Sequence, residues 1–123
     1  MKTVKSTISK NPIDMAKYIY ICGPVTGRDF DEAKAEFDKA AYEIKKKHGD
    51  AVFVVNPFDF CQKGEEWRYA MKKCIVNLTT CNYIHCLPGY ENSRGASLEI
   101  TIALALGYGV CDSNYNLKEY SER

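Results

Sequence analysis

A single carboxylate stands in the most apolar helix that the sequence predicts. Glu99 lies within the run Ser93–Leu106, among leucine, isoleucine and alanine residues. A helix that is apolar on every side is expected to be buried, and a buried carboxylate is costly unless it is paired, hydrogen-bonded or protonated. Gly95, on the same helical face, leaves a groove open above the carboxylate. The pattern predicts a carboxylate placed to contact a ligand, and a structural ion pair with Arg28, Arg94 or a lysine is the alternative.

Loops on either side of this carboxylate are rich in glycine, proline, asparagine and serine. The segment Gly23–Gly27 joins a predicted strand to a helix, where backbone amides suit an anion such as phosphate, and an ordinary tight turn is the alternative. Asn92 or Ser93 can cap the apolar helix. We predict ligand or phosphate contacts at eight loop and helix positions: Gly23, Pro24, Thr26, Gly27, Asn56, Asn92, Ser93 and Gly95.

Aromatic and titratable residues near the strand ends are the remaining candidates. Tyr20 stands near the carboxyl end of the first predicted strand, so its hydroxyl can reach the same site. His85 lies in mid-strand, where a hydrogen-bonded core histidine is the expected role. Phe58 and Trp67 can stack on a flat ligand, although packing of Trp67 on a helix face is the alternative.

The elements that position these residues alternate between strand and helix. The strands are predicted at Lys17–Cys22, Ala51–Val55, Asn82–Leu87 and Gly107–Asp112, and the helices at Phe30–His48, Glu65–Thr80 and Ser93–Leu106. This order predicts a flavodoxin-like α/β fold: a doubly wound parallel sheet of four to five strands within three α/β/α layers. Unbroken apolarity at Ala51–Val55 predicts a strand covered on both faces, within a central parallel sheet. Ligands of such sheets bind beyond the carboxyl ends of the strands, where the candidate loops lie.

One domain is predicted over residues 17–123, after a loose N-terminal arm at residues 1–16. The stretch after Asp112 predicts a final turn of helix or a segment that crosses to a neighbouring subunit.

The chain carries 17 basic and 16 acidic residues, a formal net charge of +1, which argues against a nucleic acid polymer as the partner. No apolar run approaches the roughly 18 residues of a membrane span, and a cytoplasmic protein is expected. The six cysteines show no CxxC pair, so reduced, mostly buried thiols and no metal are expected.

Three sequence segments together resemble a known family. YIYICGPVTG, VVNP and CNYIHCLPGYENSRGASLEI look like a small bacterial and phage domain-of-unknown-function family, number 4406. That family is similar to the nucleoside 2-deoxyribosyltransferases and to the deoxynucleoside-monophosphate N-glycosidases. The resemblance covers roughly residues 18 to 110, and LPGYENSRGASLE is its most specific element.

The resemblance implies a function and roles for individual residues. In the enzyme relatives, the glutamate of an S-x-G-x-x-x-E motif attacks the anomeric carbon of deoxyribose, and Glu99 matches it. Tyr20 matches a tyrosine that orients this carboxylate, while Gly23–Gly27 and Ser93 match the groups that hold a 5′-phosphate. A carboxylate suits this reaction because the transition state resembles an oxocarbenium ion. The implied substrate is a nucleoside or nucleotide, cleaved by water or transferred to a second base without a cofactor.

The chain departs from the family pattern at one important position. The relatives carry an aspartate on the second helix that helps to protonate the departing base, and the matching residue is Cys74. The usual aspartate before the third strand is Asn82. A thiol is a poorer acid, and general acid catalysis is typically worth a hundredfold or more. A nucleotide-sensing module without turnover, and a structural or phage–host interaction protein, are therefore the alternatives.

The resemblance also implies an assembly. The enzyme relatives form dimers or larger oligomers in which a neighbour's C-terminal segment closes the pocket. A homodimer or higher homo-oligomer is therefore expected, with Asn114 or Asn116 as the residues that could play this part.

Overall fold

The computed structural model describes residues 16–120, a five-stranded sheet with helices on both faces. Most of the predicted N-terminal arm lies outside the described residues. The strands are β1 (Lys17–Cys22), β2 (Val52–Val55), β3 (Tyr83–Cys86), β4 (Gly109–Cys111) and β5 (Leu117–Lys118). The helices are α1 (Phe30–His48), α2 (Trp67–Leu78) and α3 (Arg94–Ala105), and short 3-10 turns lie at Gly49–Ala51, Pro57–Asp59 and Tyr90–Asn92.

The sheet has the strand order β2-β1-β3-β4-β5. β1 pairs in parallel with β2 and β3, β3 pairs in parallel with β4, and β5 is antiparallel to β4. The chain therefore moves from β1 outward to β2 and then crosses to the other side of β1. This reversal confirms the predicted doubly wound α/β fold, and it creates a crevice between the carboxyl ends of β1 and β3.

The predicted bounds of β1 and α1 are confirmed residue by residue. Asp29 caps the start of α1 through a hydrogen bond of 2.9 Å from the backbone N–H of Glu32, and the backbone of Gly49, at φ 62°, ends the helix. Both signals are local, because a capping side chain and a glycine with positive φ act within one turn. The other helices and strands are shorter than predicted by one or two residues at most ends.

The sheet is mostly parallel, as predicted, but the prediction that both faces of β2 are covered is wrong. β2 lies at the edge of the sheet, and Phe53 is 48% exposed. Its ring stacks on Tyr18 at a centroid distance of 4.9 Å, and the ammonium of Lys45 lies 5.7 Å from the ring centre. A neighbouring aromatic side chain and a lysine therefore partly shield the exposed face of this strand.

The prediction of a terminal helix turn is also wrong. After β4, Asp112 accepts hydrogen bonds of 2.9 Å from the backbone N–H groups of Asn114 and Asn116. Tyr115 adopts a positive φ of 65°, and the chain turns back to form β5. The turn therefore adds an antiparallel strand to the sheet.

The two faces of the sheet bury separate apolar clusters. The cluster on the α1 face contains Ile19, Ile21, Phe37, Ala40, Ile44, Val52, Tyr83, Leu87 and Cys111. The cluster on the face that α2 and α3 cover contains Tyr20, Cys22, Cys74, Leu78, Cys81, Ile84, Ala96, Ala103 and Tyr108. The alternation of side chains along β1 sends Ile19 and Ile21 to one cluster and Tyr20 and Cys22 to the other.

α3 is not buried on every side, contrary to the prediction. Its fully buried residues are Ala96, Glu99 and Ala103, whereas Leu98 and Leu104 are 42% and 54% exposed. The small alanines let one face of the helix approach the sheet closely, so the leucines are left on the outer face. Within residues 16–120, no helix combines the length and apolarity that a membrane span requires.

Candidate active site

A cleft of about 290 Å³ opens at the carboxyl edge of the sheet. Segments that follow β1, β2 and β3 line it, as expected for the point where the strand order reverses. α2 and α3 form one wall. The lining residues are Gly23, Val25, Thr26, Phe30, Phe37, Pro57, Phe58, Cys61, Gln62, Gly64, Glu65, Trp67, Ala70, Met71, Cys74, Ser93, Gly95, Ala96 and Glu99.

Glu99 projects from α3 toward β1 at the bottom of this cleft. The residue is 5% exposed, and its carboxylate accepts a hydrogen bond of 2.7 Å at Oε2 from the hydroxyl of Tyr20. Tyr20 is fully buried between the sheet and the helices. The structure therefore brings together the two side chains to which the sequence assigned a catalytic role, on the side of the carboxylate that faces the sheet.

Burial dominates the electrostatics of this group. Loss of solvation raises the pKa of Glu99 to about 7, and hydrogen bonds from Tyr20 and Cys74 oppose the rise. Burial, with the nearby charge of Glu99, also raises the pKa of Tyr20 far above its usual range. Burial likewise raises the pKa of Cys74. Near neutral pH, Tyr20 and Cys74 are thus protonated donors, and Glu99 divides between its ionised and protonated forms.

The alternative of a structural ion pair between Glu99 and Arg28 or Arg94 is wrong. Arg28 forms two hydrogen bonds to Glu36, at 3.0 and 2.8 Å. Arg94 lies over the ring of Trp67, with its guanidinium carbon 4.2 Å from the ring centre. Within residues 16–120, no lysine, arginine or histidine forms a salt bridge with Glu99. A carboxylate left without a cation in an open cleft can still react with, or bind, a ligand.

Aromatic side chains give the cleft its apolar wall. Phe58 packs edge-on against Phe30 and Phe37 at centroid distances of 5.1 and 4.9 Å. Trp67, the first residue of α2, also belongs to this wall, and the guanidinium of Arg94 lies over its ring. The wall suits a flat, weakly polar group such as a nucleobase, because aromatic rings stack favourably on one another.

Four of the predicted loop and helix positions line the cleft: Gly23, Thr26, Ser93 and Gly95. Ser93 is the N-cap of α3, and its Oγ accepts a hydrogen bond of 3.2 Å from the backbone of Ala96. A Cβ atom on Gly23 would lie 2.8 Å from Cβ of Leu87, so glycine is needed where β1 leaves the sheet. Gly95 allows α2 to approach, since a Cβ there would lie 3.1 Å from Sδ of Met71.

The other four predicted positions, Pro24, Gly27, Asn56 and Asn92, are not among the cleft-lining residues. Asn56 is buried, donates to Asp38 at 2.8 Å and accepts from the backbone of Phe58 at 3.0 Å. Its side chain thus caps the turn after β2. Pro24 faces a separate depression, which Leu87 also lines. The sequence shows that these residues follow a strand, but it does not show whether their side chains point into the cleft.

Several cleft residues were missed by sequence reasoning. Cys61, Gln62, Glu65 and Met71 line the cleft, and Sγ of Cys61 lies 3.7 Å from Sγ of Cys74. Cys61, Gln62 and Glu65 belong to a loop without a periodic sequence pattern. Only the way this loop packs against α2 shows that they line the cleft. All six cysteines are free, as predicted. In residues 16–120, no group of three or more histidine, cysteine or acidic side chains is arranged to hold a metal.

Two further expectations concern residues away from the cleft. His85 is a buried core histidine, as expected, with Nδ1 2.8 Å from the carbonyl oxygen of Cys111. The C-terminal asparagines contact their own chain: Nζ of Lys47 donates to the carbonyl of Asn114 at 2.9 Å and to Oδ1 of Asn116 at 2.5 Å. These contacts tie the turn before β5 to α1.

Comparison with known proteins agrees with this architecture. A solved structure named "2-desoxiribosyltransferase from Leishmania mexicana" is similar to the chain, with a TM-score of 0.52 and 21% sequence identity over 85% of this chain and 79% of that one. At this identity the likeness shows a shared fold. No curated protein matches the chain. The family described as "Domain of unknown function (DUF4406)" matches residues 17–112, and the chain therefore belongs to that family.

Proposed function

We propose that this protein cleaves the N-glycosidic bond of a deoxyribonucleoside or its 5′-monophosphate, with Glu99 as the nucleophile. One observation carries the proposal. A buried carboxylate, which has no cationic partner among the described residues, receives a hydrogen bond from Tyr20 at the base of an aromatic-walled cleft. The fold shared with a protein named as a deoxyribosyltransferase supports the same substrate class.

The reaction proceeds in two balanced steps. The ionised carboxylate of Glu99 attacks C1′ of the sugar, and the C1′–N bond breaks with its electron pair going to the base, which takes up one proton. The sugar is then held as an ester of Glu99. In the second step, water attacks C1′, releases the carboxylate and gives up a proton to solvent. A second nucleobase in place of water gives transfer.

Neighbouring groups position the nucleophile. The Tyr20 hydrogen bond holds Oε2 and leaves Oε1 for attack on C1′. The phenol remains protonated because burial raises its pKa, so Tyr20 donates throughout the reaction. Cys74 supplies a thiol at the position where the resemblance implies an aspartate, and we expect slow turnover as a result.

Release of free base tests the proposal. The full chain is incubated with each deoxynucleoside and each deoxynucleoside monophosphate, and the products are separated by chromatography. Base release from at least one substrate, abolished by Glu99→Gln and retained by Asp50→Asn, is the expected result. Asp50 is a suitable control because it is an exposed carboxylate before β2, at the opposite edge of the sheet. Release that survives Glu99→Gln would disprove the role of the nucleophile.

Cys74 favours a second candidate function, a nucleotide-binding module without turnover. In that case Glu99 accepts a hydrogen bond from a sugar hydroxyl and never forms an ester. Saturable thermal stabilisation by a nucleoside or nucleotide, with no base released over many hours, would support this function over the first. Absence of any thermal shift would argue against both.

The outer face of α3 supports a homo-oligomer. Leu98, Leu104 and Leu106 are 42%, 54% and 56% exposed, and Val76 on α2 is 64% exposed. Large apolar side chains exposed on a surface commonly mark protein contacts when they form a patch. Light scattering coupled to size exclusion should show a species larger than the 14.0 kDa monomer, and Leu104→Glu should shift it toward the monomer.

A further inference from the structure

We infer that the cleft takes the uncharged deoxyribonucleoside in preference to its 5′-monophosphate. This inference rests on the proposed function and names its substrate class. It follows from the charges placed around the cleft, which disfavour the anion that the loop Gly23–Gly27 was expected to bind. Each helix end, cation and carboxylate near the cleft contributes to this conclusion.

The helix that follows the first loop already carries its own anions. Asp29 caps α1, with Oδ2 2.9 Å from the backbone nitrogen of Glu32. Asp31 and Glu32 occupy the first turn. The partial positive charge of a helix N-terminus is what makes it an anion site, and three carboxylates here satisfy that charge from within the chain. A phosphate at this loop would meet like charges.

The N-terminus of α2 is also capped by a carboxylate of the chain. Glu66 is its N-cap and accepts a hydrogen bond of 3.1 Å from the backbone of Tyr69. The preceding residue, Glu65, lines the cleft, and its Oε1 accepts a hydrogen bond of 2.9 Å from the backbone of Gln62. Together with Glu99, this places two carboxyl groups in the cleft wall.

Two cations on neighbouring elements are engaged by groups of the chain, and one of them is paired with the cleft carboxylate Glu65 itself. Arg28 binds Glu36 and the carbonyl oxygen of Pro24. Lys73 pairs with Glu65 at 2.5 Å and donates to the carbonyl of Phe60 at 2.7 Å. As far as residues 16–120 are concerned, the cleft lining contains no lysine, arginine or histidine.

The start of α3 differs, because its cap is neutral. Ser93 lines the cleft and accepts a hydrogen bond from the backbone of Ala96. A hydroxyl can also donate one hydrogen bond, and a sugar hydroxyl is the neutral partner that suits it. Arg94, the next residue, lies over the ring of Trp67. The polar end of the cleft therefore matches a 5′-hydroxyl better than a group with a charge near −2.

The test compares a deoxyribonucleoside with the 5′-monophosphate of the same base. The full chain should show a kcat/KM for the nucleoside roughly tenfold or more above that for the monophosphate at low ionic strength, and added salt should narrow the gap. Equal values, or a preference for the monophosphate, would overturn the inference and leave the proposed cleavage intact.

A charge variant tests the physical cause. Glu65→Gln removes one carboxyl charge from the cleft wall and releases Lys73, so the ratio of monophosphate to nucleoside kcat/KM should rise several-fold. The matched control Asp50→Asn removes an exposed charge at the opposite edge and should leave this ratio as in the wild type. An unchanged ratio in Glu65→Gln would contradict the electrostatic explanation.

Binding separates failure of the inference from failure of the proposed chemistry. Calorimetric titration of the wild-type chain with the same two compounds measures the preference even without turnover. Tighter binding of the nucleoside with no base released would overturn the chemistry and support the substrate class. Tighter binding of the monophosphate, or binding of neither compound, would overturn the inference.

Discussion

The hydroxyl of Tyr20 donates a hydrogen bond of 2.7 Å to Oε2 of Glu99, across 79 positions of sequence. Through it β1 and α3 share one buried polar contact on an otherwise apolar face of the sheet. The contact satisfies both groups, so neither is left as an unpaired polar atom in the core. The contact engages Oε2, and Glu99 itself lines the cleft.

Loss of this hydrogen bond should weaken the nucleophile. Tyr20→Phe keeps the ring and removes a donor that favours the ionised form, so the pKa of Glu99 should rise above about 7. Base release near pH 7 should fall roughly tenfold, and the inflection of the pH–rate profile should move to higher pH. Urea denaturation should show a loss of about 1 kcal/mol. An inflection at the wild-type pH would contradict the positioning role of Tyr20.

The raised pKa of Glu99 should make folding stability depend on pH. The folded chain keeps the proton up to about pH 7, whereas the unfolded chain releases it near the usual 4.5. The contribution is therefore fully present below pH 4.5 and is lost as the pH rises through 7. From pH 5 to pH 8 the wild type should lose about 2.5 kcal/mol that Glu99→Gln does not lose.

Urea denaturation of both proteins at the two pH values measures this difference. Other titrating groups, such as Asp112, are common to both chains, so their effects cancel in the comparison. Parallel pH dependence in the wild type and in Glu99→Gln would show that the carboxyl titrates at its ordinary pH.

An acid in place of the thiol at position 74 should accelerate base release. Cys74 lines the cleft, and its thiol is one of the groups that lower the pKa of Glu99, so a carboxyl group there can share a proton with the departing base. We expect Cys74→Asp to release base roughly tenfold to a hundredfold faster than the wild type at slightly acidic pH. Cys74→Ser, of similar size, should remain near the wild-type rate. If the two variants are equally fast, the thiol does not limit the reaction.

Trp67 should report ligand binding directly. It is the single tryptophan of the chain, it lines the cleft, and Arg94 lies over its ring. A base that stacks in the cleft should change its fluorescence saturably, and the measurement is best made with Glu99→Gln, which does not consume the ligand. Deoxyribose alone should give no change. A flat titration with every nucleoside up to millimolar concentration would place the ligand elsewhere.

A close contact at β4 should make Gly109 indispensable for stability. A Cβ atom there would lie 2.5 Å from a ring carbon of Tyr83 and 2.7 Å from the carbonyl oxygen of Lys118. Both neighbours belong to the sheet and cannot move freely, so Gly109→Ala should destabilise the fold by about 2–3 kcal/mol in urea denaturation. Val110→Ala, at the exposed neighbouring position, should cost less than about 1 kcal/mol. Similar losses in the two variants would contradict the steric argument.

The sequence by itself determined the order of the elements and the position of the central carboxylate. β1 and α1 were predicted to the residue because their signals are local: an apolar β-rich run for the strand, and an apolar stripe at helical spacing followed by a glycine for the helix. Glu99 was identified because one ionisable group in an apolar run is visible without a structure. The motif around it, with Ser93 and Gly95, also pointed to the edge of the sheet where the cleft lies.

Only the tertiary structure decided what each side chain contacts. The edge position of β2, the pairing of Tyr20 with Glu99 and the turn of Asn56 toward Asp38 depend on strand order and on contacts between distant residues. The sequence shows which residues are acidic, but it does not show that several of them lie around the same cleft. Sequence spacing describes neighbours along one element, whereas a binding cleft brings together several elements, and their packing sets its charge.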